Sequence, residues 1–348
     1  MPRAFQAAAL VACLLFLGGS PRPSTAAPPS PSADSPAPPS VSQGAIDFVR
    51  TVGVNEVHEL TKSHSLWGKL LNLVAGAPQL PSVARPYGVT EDSTGRLLFT
   101  DTELGVVHIL DLEKRKYLRI AGKKGEGFVS PIGVAVDAAD NIYVSDSAQG
   151  RIYVFDAKGK FLRLFSGGQG AALQRPTGLA IDAGRKLLYV TDTLRHQILV
   201  LDLDGNFVRA IGSRGTAPGQ FNFPTALTLA AGHLYVVDAM NFRIQVLTPE
   251  GQFVRSFGRL GNQNGTLNRP KGIAVDSDGN IYVVDALFEA VQVFNLDGRL
   301  LSYFGSTGVY PGQFVLPSGL FISKRDRIYV ADSLNRRIQI FHYRRVKD

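Results

Sequence analysis

From Pro86 to Tyr343 the chain alternates short apolar runs with turns built from Gly, Asp, Asn and Ser. One run recurs almost unchanged: Leu98-Phe99-Thr100-Asp101, Ile142-Tyr143-Val144-Ser145-Asp146, Leu188-Tyr189-Val190-Thr191-Asp192, Leu234-Tyr235-Val236-Val237-Asp238, Ile281-Tyr282-Val283-Val284-Asp285 and Ile328-Tyr329-Val330-Ala331-Asp332. Apolar, β-branched and aromatic residues in runs this short, bounded by turn formers, predict strands. A Pro-x-Gly sequence, or Pro-x-Ala in the fourth repeat, opens another apolar strand ahead of each run. Behind it come a third strand, such as Arg243-Ile244-Gln245-Val246, and a fourth, such as Phe253 to Gly258, followed by a Gly-rich connector. The closing Asp residues are spaced by 45, 46, 46, 47 and 47 positions, and Pro86, Pro131, Pro176, Pro224, Pro270 and Pro317 recur at nearly the same interval.

A period of 40 to 50 residues carrying four strands is the sequence signature of a propeller blade, because one such sheet must stack on neighbours to cover its faces. Six repeats predict an all-β, six-bladed β-propeller, with strands a to d in each blade. The stretch Pro270-Lys271-Gly272-Ile273-Ala274-Val275-Asp276-Ser277-Asp278-Gly279-Asn280-Ile281-Tyr282-Val283-Val284-Asp285 resembles the NHL repeat, and the resemblance covers residues 86 to 342. A WD40 propeller is disfavoured, since the single Trp67 lies outside the repeats. Repeat four departs from the pattern, with Ala226 for the glycine and Ala230 for the strand-a Asp, and repeat one is irregular at Glu91-Asp92.

After Ile338 to Tyr343 the sixth repeat has no fourth strand. Ahead of the first repeat, Phe48-Val49-Arg50-Thr51-Val52-Gly53 matches Phe207-Val208-Arg209-Ala210-Ile211-Gly212 position by position. This N-terminal segment is therefore expected to become strand d of the last blade and remove its open edge. An insertion of about residues 56 to 76 follows, in which Ser65 caps Trp67, Leu70, Leu71 and Val74 at helical spacing; this predicts one amphipathic helix packed on the propeller.

The first residues change the picture of where the protein works. Pro2-Arg3 precedes an apolar stretch from Ala7 to Leu17, too short to span a bilayer, and reads as an export signal within residues 1 to 26. Two processing routes fit: cleavage after Ala26, or lipid attachment at Cys13, since Leu10-Val11-Ala12-Cys13 resembles a bacterial lipobox. Residues 27 to 44, rich in Pro, Ser and Ala, form a linker to a propeller spanning 45 to 348. A periplasmic or cell-surface location is expected, with the membrane touched only through an N-terminal lipid. The folded part has no cysteine, which excludes disulfides and thiolate metal sites.

Candidate chemistry is sparse. The six strand-b Asp residues recur too regularly for a cation site and are expected to accept backbone hydrogen bonds that fix turns. His58, His64, His108, His196, His233 and His342 show no metal-ligand spacing, so neither metal nor cofactor is expected, and no nucleophile elbow or phosphate loop is present. A metal-dependent lyase or hydrolase resembling the propeller amidating lyases is the alternative. The net charge of +8 raises nucleic acid as a partner, as in some NHL domains, but Arg50, Arg119, Arg163, Arg209 and Arg255 occupy equivalent strand-d sites spread around the circumference, and export argues against it. What remains is the rim where d–a and b–c loops meet, the functional face that the resemblance implies. Its candidate binding residues are Tyr87, Thr177, Thr225, Lys271 and Ser318 (with Ile132) after the prolines. From the b–c turns come Glu103, Leu104, Arg195, His196, Asn241, Phe242, Phe288, Asn335 and Arg336, beside Leu287. A monomeric scaffold binding a protein, or a glycan as second choice, is the expected function.

Overall fold

A computed structural model of the chain describes residues 44–61, 82–168 and 171–345. The export signal with Cys13, nearly all of the linker and the helix expected over Ser65 to Val74 lie outside the described residues.

Strand b of every blade is buried along nearly its whole length, which a strand can sustain only in the middle of a sheet covered on both faces. Its neighbours are strand a inside and strand c outside, with strand d at the edge, so six antiparallel sheets of order a-b-c-d result. The inner strands are Pro86–Glu91, Pro131–Val136, Pro176–Asp182, Pro224–Ala230, Pro270–Val275 and Pro317–Ile322. Each packs beside the next, and the last returns to the first, closing a six-bladed propeller around a channel.

The hydrophobic core is accordingly six clusters, each shared by two adjacent blades. Between blades 2 and 3, for instance, Tyr143, Ile152 and Val154 meet Leu188, Val190 and Leu201. Strand-d arginines add clamps at the outer edge: Arg163 donates to the Leu203 carbonyl at 2.8 Å and Arg209 to the Pro249 carbonyl at 2.7 Å, each in the following blade. These two arginines thus serve cohesion between adjacent blades.

The glycine of Pro-x-Gly has a steric cause. A Cβ on Gly133 would lie 2.2 Å from the Thr177 carbonyl oxygen of the next inner strand, and on Gly319 it would lie 2.0 Å from that of Tyr87. Only hydrogen fits where inner strands approach so closely. Blade 4 alone carries Ala226 there, so its junction with blade 5 accommodates the extra methyl.

Ring closure follows the expected route. Gly44–Gly53 pairs antiparallel with the blade-6 strand c, Arg337–Arg345, from Gly44 opposite Arg345 to Gly53 opposite Arg337, with an irregularity between Phe48 and Arg50. Val52 is fully buried beside Ile338 and Ile340 in the core shared by blades 6 and 1. The helix actually described is Val54–Thr61, which begins at once after this strand and places Val57 in the same core. Glu56 accepts the Gly53 N–H at 2.7 Å, satisfying a donor the helix would leave orphaned. The supposed irregularity of repeat one also resolves: Asp92 stands in the a–b turn and accepts the N–H groups of Thr94 and Arg96, as Asp276 does for Asp278 and Asn280 in blade 5. No helix among the described residues is long and apolar enough to cross a membrane.

Candidate functional site

Strand b ends, and strand a begins, at one end of the ring, and the repeated Asp ties the two together. Asp285, fully buried, accepts the N–H groups of Asn268 at 2.7 Å and Arg269 at 3.0 Å from the d–a connector, then those of Leu287 and Phe288 from its own b–c turn. Asp101 and Asp146 repeat the arrangement, while Asp192, Asp238 and Asp332 keep the connector half of it. All six carboxylates are spent on this latch. Burial alone would raise the Asp101 carboxyl, but the His108 contact and the N–H groups of Ala84, Leu104 and Arg85 outweigh it and hold the group below the ordinary carboxylate value. Among the described residues no group of three or more His, Cys, Asp or Glu is placed to hold a metal ion.

The b–c turns share one geometry, and it assigns a task to each position after the Asp. The third residue reaches the connector: Gln149 donates to the Gly127 carbonyl, Arg195 to Ala172, Asn241 to Gly215 and Asn335 to Gly308. The fourth has positive φ, about +55°, in His196, Phe242, Glu289 and Arg336. Thus most of the turn residues picked from sequence work inside the fold. His196 shows this most clearly: its ring is buried, its Nδ1 accepts the Phe223 N–H of the next blade at 3.1 Å, and it meets the Phe223 ring edge-on.

The second residue is the one that faces outward. Leu194, Met240, Leu287 and Leu334 occupy it in four successive blades and are 45%, 52%, 55% and 46% exposed. Val309 and Tyr310, exposed as well, sit beside the blade-6 turn, where Arg337 holds their carbonyls. Sequence reading named Leu287 only in passing, although a Leu or Met two positions after the Asp in four repeats was visible. On this end Arg175 and Arg269 are also exposed, each preceding a strand-a proline, and their guanidinium groups have no hydrogen bond or ion pair among the described residues. Arg85 at the equivalent place faces Glu103 at 3.4 Å. Leu104 and Arg336 are exposed, whereas Phe288 is half-buried.

The residues after the prolines do converge. Tyr87, Ile132, Thr225, Lys271 and Ser318 line the channel mouth around a cavity of about 80 Å³. Thr177 turns aside, bonding Thr191 and Thr193 hydroxyls at 2.8 Å each. Two halves of the ring differ here. In blades 1 to 3 a strand-b hydroxyl, Thr100, Ser145 or Thr191, accepts the Gly N–H of its own Pro-x-Gly and donates to the next inner strand. Blades 4 to 6 carry Val237, Val284 and Ala331 instead. Over that half, Lys271 reaches across blade 6 to Tyr87, with Nζ 3.4 Å from the hydroxyl and 5.7 Å from the ring centroid, while the buried Thr225 Oγ1 has no partner among the described residues.

Comparison with known proteins supports the fold at this level. Residues 179–256 match a protein family described as a six-bladed β-propeller, and residues 257–284 match a β-propeller repeat. No curated protein matches the sequence. A catalytically inactive virginiamycin B lyase from Staphylococcus aureus, solved with quinupristin, is similar at 15% identity and TM-score 0.55, over 75% of this chain and 95% of that one. A gluconolactonase from Xanthomonas campestris is similar at 16% and 0.57, over 75% and 86%. An auxiliary nutrient binding protein from Bacteroides thetaiotaomicron is similar at 14% and 0.57, over 75% and 69%. At such identities the likeness is one of fold.

Burial, and then the charge of Arg214, lowers the His196 pKa, so the fold favours the neutral ring. The unfolded chain binds the proton more readily; stability is therefore complete above the unfolded histidine value of about 6.5 and is lost as pH falls below it. Thermal melts at pH 7.5 and 5.5 are expected to show a smaller loss for His196→Asn, which tolerates the positive φ, than for the wild type. An equal loss in both would refute a protonation penalty at this junction.

Proposed function

We propose that the protein is an extracytoplasmic propeller of the NHL-repeat type that holds a partner protein against the channel-mouth end of its ring. The observation that carries this reading is the arc of Leu194, Met240, Leu287 and Leu334. A fold that buries nearly all the apolar residues of strands b and c leaves these four, in the turns between them, half-exposed at one structural position in consecutive blades. Contiguous exposed apolar residues rimmed by charge mark interaction surfaces. The surrounding Arg175, Arg269, Lys271 and Arg336 favour a partner segment that is acidic as well as apolar. The apolar N-terminal segment and the Pro/Ser/Ala-rich linker support export, with release after Ala26 or tethering through Cys13. A cavity lining without His, Asp or Glu supports a binding reading over a lyase or hydrolase.

In-cell crosslinking with mass spectrometry tests the surface. The double variant Met240→Asp, Leu287→Asp is expected to keep the wild-type melting temperature and lose tenfold or more of its crosslinked partner, because central apolar anchors dominate such interfaces. Leu296→Asp, on a c–d turn at the other end of the ring, should bind as the wild type does. Equal capture by the double variant would refute the assignment of the surface.

A further inference from the structure

We propose that the channel mouth is a subsite for a single carboxylate, held by Lys271 with help from Tyr87 and Thr225. The inference rests on the binding surface above and names the chemistry that its centre recognises.

The lining of the mouth carries one cationic side chain, Lys271, and no carboxylate to neutralise it. The ammonium lies near the Tyr87 hydroxyl at 3.4 Å and over the Tyr87 ring. An ammonium has three donors, and a long contact to one phenol leaves most of that capacity unused. Thr225, on the neighbouring inner strand and in the same lining, has a buried hydroxyl oxygen with no partner among the described residues, a donor left for a ligand to use. Thr225, Lys271, Ser318 and Tyr87 come from blades 4, 5, 6 and 1 in ring order, so the donors follow one arc of the mouth. That arc overlies the half of the ring where Val237, Val284 and Ala331 replace the strand-b hydroxyls. Ser318, by contrast, is already committed to the Ser333 hydroxyl at 2.7 Å.

The ligand's class follows from charge, size and surroundings. One ammonium balances one negative charge. The Tyr87 hydroxyl beside it, with the Thr225 hydroxyl on the neighbouring inner strand, supplies further donors for the two oxygens of a carboxylate, each of which accepts more than one hydrogen bond. About 80 Å³ holds a carboxylate with a short stem, and Ile132, Val134 and Leu320 among the lining suit an apolar stem. A phosphate or sulfate ester would bring more charge or bulk than one lysine and this volume receive. On the partner such a group is an Asp or Glu side chain, or a chain terminus, seated at the centre of the apolar arc.

Calorimetric titration of the mature protein with acetate, Ac-Leu-Ala with a free C-terminus, and its C-terminal amide reads the subsite without any partner. The two carboxylates are expected to bind and the amide not to bind. Lys271→Met should weaken both at least tenfold, Lys271→Arg should retain them, and Thr225→Val should weaken them about threefold, all with melting temperatures near wild type. Preference for the peptide over acetate identifies a chain terminus as the natural source; equal binding points to a side chain. Absence of carboxylate binding up to 50 mM, or unchanged binding by Lys271→Met, would overturn the proposal. If Lys271→Met also kept full partner crosslinking while Met240→Asp, Leu287→Asp lost it, the surface would stand and the subsite alone would fall.

Discussion

A chain beginning at Val54 is expected to aggregate, or to melt at least about 15 °C below the mature protein. The nine residue pairs between Gly44–Gly53 and Arg337–Arg345 represent on the order of nine ladder hydrogen bonds, each worth about 1 kcal/mol net. Val52 adds a fully buried side chain to the core between blades 6 and 1. Together these equal much of the roughly 5 to 15 kcal/mol that holds an ordinary domain folded. The loss is compounded because strand c of blade 6, with Ile338, Ile340 and Phe341, would become an exposed apolar edge. Differential scanning calorimetry and light scattering check it, and adding residues 44–53 as a free peptide should recover part of the lost melting temperature. A truncated protein that melts with the wild type would show that this strand does not close the ring.

The second large effect is expected from one methyl group. In Gly319→Ala the new Cβ would stand 2.0 Å from the Tyr87 carbonyl oxygen and 3.2 Å from the Gly88 Cα, both main-chain atoms of the adjoining inner strand. Backbone cannot rotate away as a side chain can, so the inner strands of blades 6 and 1 must separate at the seam that already depends on the borrowed strand. A cost of about 3 kcal/mol or more follows, and a melting temperature lower by roughly 6 °C or more. Ala226→Gly is the internal control: blade 4 already spaces its neighbour for a methyl, and the change should cost no more than about 1 kcal/mol. Comparable losses in the two variants would remove the steric explanation of Pro-x-Gly.

Features that depend on repetition were readable in the chain itself. Six Asp-tipped runs at a steady interval require six equivalent sheets, and the likeness of Phe48–Gly53 to Phe207–Gly212 identifies the missing fourth strand because both must satisfy the same strand-c neighbours. Turn residues proved harder, since polarity at a turn signals exposure and inward bonding alike. Asn241 and Asn335 looked like surface contacts but spend their amides on connector carbonyls. The Leu or Met two residues after the Asp recurs in four repeats, but that it faces outward follows from the turn geometry set by the left-handed residue two places on. Lys271 and Tyr87 are 184 positions apart in sequence, and no local pattern announces their meeting; ring geometry alone creates it. The helix start went unread for a different reason: Glu56 caps from inside the helix, on a Gly53 that reads as the end of a strand.

Pairing Gly44–Gly53 with Arg337–Arg345 joins segments nearly three hundred positions apart, and this sets an order of events. Each of the first five blades can assemble from residues close together in the chain, whereas the sixth needs Arg337–Arg345 to have been made and to have met Gly44–Gly53. Until that encounter the earliest-synthesised strand has nowhere to go. Once the contact is made, neither strand can peel away without breaking the ladder it shares with the other, so the pairing that completes the ring also guards it against unravelling from that sheet.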